Sequence, residues 1–88
     1  MRSIYKHTIA KDGIENISIP KGAVLLSCKK QGNQIAIWFD VDVNEYLREV
    51  RQFECIMTGH EPPYGAKFID TCLFENDSFV LHVFEILS

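Results

Sequence analysis

At 88 residues the chain has the size of one domain, 1–88. A chain this short buries only about 60–65% of its unfolded surface, so modest stability is expected unless it oligomerises. Its 47% hydrophobic and 24% charged residues exclude a disordered chain, and a formal charge of −3 with nine Lys and Arg argues against duplex nucleic acid, which is held by cations on phosphates.

Short runs rich in β-branched and aromatic residues alternate with turn residues, the signature of an all-β chain. Ser3 to Ile9 reads as a first strand, closed by Lys11-Asp12-Gly13. Ile14 to Ile19 reads as a second, ended by Pro20-Lys21-Gly22, and Ala23 to Gln31 as a third. Gly32-Asn33 then supplies a tight hairpin turn. Gln34 to Asp42 follows, with Ile35, Ile37, Phe39 and Val41 on one face and Ala36, Trp38, Asp40 and Asp42 on the other. Asn44 to Glu49 is polar and reads as a loop or one helical turn. Val50 to Gly59, Phe68 to Glu75 and Ser78 to Ile86 complete the set, the last two joined at Asn76-Asp77. Seven strands with mostly local connections predict an antiparallel β-sandwich or small barrel.

Cys28, Cys55 and Cys72 are an odd, widely spaced set without a CxxC pair, which predicts buried reduced thiols. The strand pattern begins at once, leaving no room for a signal peptide, and no apolar run reaches membrane-spanning length. A reducing cytoplasm and no membrane partner are the expectation.

Several segments occur together in order: SIYKHTI, IPKGAVLLSCKKQGNQIAIWFDVD, FECIMTGHEPP and FIDTCLFENDSFVLHVFE. The set resembles a family of short tailed-phage and prophage proteins known as a domain of unknown function. The matching positions are Ile4-Tyr5-Lys6, Pro20, Gly22, Ala23, Leu25-Leu26-Ser27, Trp38, Thr58-Gly59-His60 and His82-Val83-Phe84-Glu85. The segment VDVNEYLREV is longer and more charged than the family pattern. The resemblance implies a viral or prophage origin and a compact β-rich fold and no activity; with the reducing cytoplasm expected above, the expected location is the cytoplasm of a bacterial host.

Four stretches are candidates for function. In MTGHEPPYG, Gly59 and the two prolines describe a corner in which Thr58 or His60 satisfies backbone groups. The other reading puts Thr58, His60 and Glu61 on a rim that meets a ligand or partner. Trp38, beside Asp40 and Asp42, is either an anchor on a wet face or packs against the second sheet. In NEYLREVRQ, Tyr46, Arg48 and Arg51 combine an aromatic plane with two forked cations, in an expected loop. Such a set suits an anionic, nucleotide-like ligand; alternatively Glu45 and Glu49 neutralise both arginines. SFVLHVFEIL is nearly continuously apolar, which predicts a strand central in its sheet or at a homo-oligomer interface, with His82 hydrogen-bonded in the core.

The sequence contains no nucleophile elbow, P-loop or metal-ligand spacing, so no catalytic residue, metal or cofactor is expected. The expected function is therefore that of a non-enzymatic phage accessory protein. It would bind a host immune protein or sequester a nucleotide-type signal as counter-defence, and form a homo-oligomer. The alternative is a small structural or assembly component of the phage particle.

Overall fold

The computed structural model describes residues 1–87 as seven strands: β1 (Arg2–Ile9), β2 (Ile14–Pro20), β3 (Val24–Gln31), β4 (Gln34–Asp42), β5 (Arg48–Met57), β6 (Lys67–Phe74) and β7 (Phe79–Ile86). Ser88, the last residue of the expected domain, lies outside the described residues. Each expected strand forms, within two residues of its expected bounds. The optional helical turn does not: residues 43–47 are a turn and irregular chain, and β5 already begins at Arg48.

The strands divide into a three-stranded sheet, β1-β4-β3, and a four-stranded sheet, β2-β5-β7-β6, with antiparallel neighbours throughout. Period-two patterning explains the stacking. On β4, Ile35, Ile37, Phe39 and Val41 are sealed from solvent; Ile17 and Ile19 of β2, Phe53 and Cys55 of β5, and Leu81 and Val83 of β7 face them. Phe39 and Phe53 meet edge to face across the two sheets, centroids 6.2 Å apart. Burying side chains of this size stabilises the fold by about 1.5–3 kcal/mol each, the main favourable term in so small a domain.

One side of the sandwich is closed. Here β3 and β6 lie together, each carries a register shift (between Leu25 and Ser27, and between Phe68 and Asp70), and Lys29 bonds Asp70 at 3.1 Å between the sheets. The thiols of Cys28 (β3), Cys55 (β5) and Cys72 (β6) are buried and unbridged. Desolvation pushes Cys28 up to about 12 and Cys55 up to about 11, and raises Cys72 as well.

β7 is the partner of both β5 and β6, so β5 and β6 run in the same direction. Residues 58–66, which join them, must therefore return along the sheet, past β7. Sheet β1-β4-β3 fills the inner side, which leaves the outer side for this crossover. The last strand is thus central in its sheet, with Leu81, Val83 and Glu85 turned inward and His82, Phe84 and Ile86 turned outward.

Candidate functional site

The crossover begins with two closely spaced turns. His60 N–H donates to Met57 O (3.1 Å) with Gly59 at φ +93°, the pattern of a type II turn, whose third residue must be able to take a positive φ. Pro62 and Pro63 then hold the chain extended, and Ala66 N–H donates to Pro63 O (3.3 Å) around Tyr64-Gly65. Between these fixed points His60, Glu61 and Tyr64 project into solvent, and Tyr64 is fully exposed.

The start of the crossover is tied to the sheet. Thr58 Oγ1 lies 2.7 Å from His82 Nε2, and Thr71 Oγ1 lies 2.9 Å from His82 Nδ1. His82 sits on the outer face of β7, opposite Thr71 of β6 and Ile56 of β5; Thr58, two residues past Ile56 and just beyond the end of β5, completes a polar row of three side chains across the sheet. A neutral imidazole has one donor and one acceptor nitrogen; one threonine therefore donates to the ring and the other accepts from it. Next to this row Phe68 and Phe84 pack edge to face with centroids 5.7 Å apart, and Phe68 is half exposed.

The expected site residues separate into distinct regions. Thr58, His60 and Glu61 stand together at the start of the crossover. The Thr58 hydroxyl binds a side chain, where the corner reading expected it on the backbone. Trp38 lies on the other side of the molecule. It is turned away from the core and half-buried between Lys6 and Ser27, so the alternative that packs it on the second sheet is not what forms. Its neighbour Asp40 accepts from Arg2 at 2.8 Å, and Lys6 bonds Gln31 at 2.8 Å, spanning β4 at the fully covered Ala36.

The triad Tyr46, Arg48 and Arg51 does not converge. Tyr46 is exposed in the β4–β5 connection, but both arginines belong to β5 and not to a loop. Arg48 points outward and donates to Ser18 Oγ (3.2 Å) and Ser18 O (2.8 Å). Arg51, three residues on, points inward. Its Nε and Nη2 donate to Glu85 at 2.7 and 2.8 Å, its Nη1 donates to Ala23 O at 2.8 Å, and its guanidinium carbon stands 5.1 Å from the Phe39 ring centroid. The bonds to Glu85 raise the Arg51 guanidinium above its ordinary value. Neither Glu45 nor Glu49 forms an ion pair with an arginine: they accept from the Leu47 and Gly22 amides, and the Glu49 charge acts on Arg51 only from a distance, behind Glu85. Ten strand residues, about 33 Å, separate Arg48 from Thr58, too far for one small ligand to touch both.

His82, expected hydrogen-bonded in the core, is hydrogen-bonded but on the outer face, because it alternates with the inward Leu81 and Val83; Glu85 and Thr71 are not among the expected site residues. Glu85 had a signal: it continues the inward register of Leu81 and Val83, and an inward carboxylate requires an inward cation. Cys55 and Phe53 extend back to Arg51 in the same way. An open hollow of about 620 Å³ lies elsewhere, lined by Ile9, Lys11, Gln31 and Asn33, where Lys11 bonds the Asn33 side chain at 2.9 Å.

The profile of one family, described as a domain of unknown function (DUF7352), matches residues 1–87. Comparisons with curated proteins and with solved structures gave no match.

Proposed function

We propose that this chain, which belongs to the DUF7352 family, is a non-enzymatic binding protein of phage origin that holds a host protein through its crossover, residues 58–66. The single observation behind this reading is the fully exposed Tyr64 on a segment fixed by two turns, two prolines and the Thr58–His82–Thr71 row. A large amphipathic ring on a backbone already held in place spares the backbone part of the ordering cost on binding, and such rings dominate interface energetics. His60 and Glu61 beside it supply polar contacts at the rim.

A protein partner is favoured over a nucleotide because Arg51 is committed to Glu85, leaving Arg48 as the single guanidinium of the expected pair at the surface. Phage origin and action in the host cytoplasm rest on the resemblance carried by the IYK, TGH and HVFE segments. Counter-defence is the version of the function that these features suit: a small scaffold carrying one preformed contact loop.

The test is capture from bacterial lysate on immobilised wild-type chain, compared with Tyr64→Ala and His60→Ala, alongside calorimetry against a panel of cyclic and ADP-ribose-type nucleotides. A protein retained by wild type and lost with Tyr64→Ala is the expected result. Equal retention by all three chains, or heat with a nucleotide, would overturn this reading.

A further inference from the structure

The four edge strands are not alike. β3 and β6 each have a register shift and pack against one another across the sheets, and β2 ends in Pro20. Bulges, prolines, charged edge residues and covering elements are how sheets keep edges from pairing. β1 has only the charges of Arg2 and Lys6, and these reach back over their own sheet to Asp40 and Gln31; eight residues pair with β4 in unbroken register, no proline interrupts them, and among the described residues no strand pairs with the other side of β1. Five of its eight residues are exposed, including the inward-turned Tyr5 at 39%.

The register shows which backbone groups are free. Val43 N–H donates to Met1 O at 2.9 Å, so the hydrogen-bonded pairs of the β1–β4 ladder fall on the odd residues of β1: Ser3, Tyr5, His7 and Ile9. The N–H and C=O groups of Arg2, Ile4, Lys6 and Thr8 therefore point out of the sheet edge. A new strand must bond to those four.

We infer that β1 pairs antiparallel with β1 of a second copy of this chain, with the two-fold axis passing between the two Tyr5 residues. Symmetry and the free groups leave few choices, because the partners of even residues must themselves be even. Centring on Ile4 sets Arg2 opposite Lys6 of the second copy, and centring on Lys6 sets the two lysines opposite one another; both juxtapose like charges on one face. Centring on Tyr5 pairs Ile4 with Lys6 and Arg2 with Thr8, so no like charges stand directly opposite and the cations meet only as diagonal neighbours. It also engages all four free residues of each strand, for about eight hydrogen bonds against about six in either alternative. On the inner face it sets Ser3 opposite His7 and brings the two half-exposed Tyr5 rings together at a non-hydrogen-bonded pair, where side chains approach most closely. The result is a six-stranded sheet continuous through both molecules. This inference is independent of what the crossover binds.

Two variants read the edge and the register separately. Ile4→Pro removes an N–H that faces the open edge and leaves the β1–β4 ladder whole, so circular dichroism should match wild type. Light scattering over a concentration series should show wild type dimerising and Ile4→Pro monomeric. Under oxidised glutathione, Tyr5→Cys should give a dimer on non-reducing gels that reductant dissolves, since the two Cα atoms fall in disulfide range. Thr8→Cys should not, because its two copies stand about 20 Å apart in this register. A monomeric wild type overturns the inference, whether or not some other protein or peptide then takes the edge. So does a dimer that survives Ile4→Pro, or one that cross-links through Thr8→Cys and not Tyr5→Cys.

Discussion

Arg51 and Glu85 face each other in the interior of the sandwich, two strands' charged groups closed into a fork at 2.7 and 2.8 Å with the carboxylate almost wholly buried. The guanidinium also reaches Ala23 O beside β3 and lies over Phe39, so one side chain of the four-stranded sheet touches backbone and core of the other sheet. Removing one partner strands a buried charge. Arg51→Ala is expected to destabilise by about 3–5 kcal/mol, whereas Arg51→Met with Glu85→Leu should cost far less than the two single changes combined. Urea unfolding of the singles and the double gives the coupling directly; additive losses would mean that the pair carries no such constraint.

The cysteines should be silent in the folded protein. With Cys28 pushed up to about 12, Cys55 up to about 11 and Cys72 raised, thiolate is scarce at neutral pH and the sulfurs are covered. An aromatic disulfide reagent at pH 8 should release no colour from native chain and label all three thiols in denaturant.

The same shifts set an alkaline limit. The unfolded thiols titrate near 9 and the folded ones higher, so the folded state holds more protons between these values and stability falls as pH rises. The contribution of Cys28 and Cys55 is complete below about pH 9 and is lost between about 9 and 12, with a slope of up to about 3 kcal/mol per pH unit for the two thiols. Cys28→Ala should flatten that slope by about half in pH-dependent unfolding, after correction for its lower starting stability.

Thr58 fastens the crossover to β7 through His82. Thr58→Val keeps the shape and loses the bond, which should cost about 1 kcal/mol. The loss should be concentrated locally, as faster proteolysis and amide exchange within residues 58–66, with the amides of β4 unaffected. Uniform acceleration across the chain would show that the row supports the whole fold and not the crossover in particular.

The β6–β7 connection carries three successive non-glycine residues at positive φ: Glu75 at 51°, Asn76 at 56° and Asp77 at 70°. Such a conformation costs a residue with a side chain about 1–2 kcal/mol, less for Asn and Asp. Glu75→Gly is therefore expected to raise stability by up to about 1 kcal/mol, the relief exceeding the greater freedom glycine gives the unfolded chain. A thermal melt that falls would mean the Glu75 side chain makes a contact worth more than the strain.

The local pattern was enough for the strands and their faces. Alternation along Gln34–Asp42 separates Phe39 from Trp38 because successive side chains in a strand must point opposite ways, and this holds whatever the strand's neighbours are. Gly32 and Gly59 mark their turns for a reason equally local, the absence of a Cβ. Which strands meet is not local. The order β2-β5-β7-β6, the crossover it imposes on residues 58–66, the row Thr58–His82–Thr71 and the Arg51–Glu85 fork all join residues distant in the chain. Arg51 and Arg48 look equivalent in NEYLREVRQ, and three residues of strand suffice to put one in the interior and the other in solvent. The open edge of β1 likewise exists only because the chain turns β2 into the other sheet, leaving one row of backbone groups without a partner.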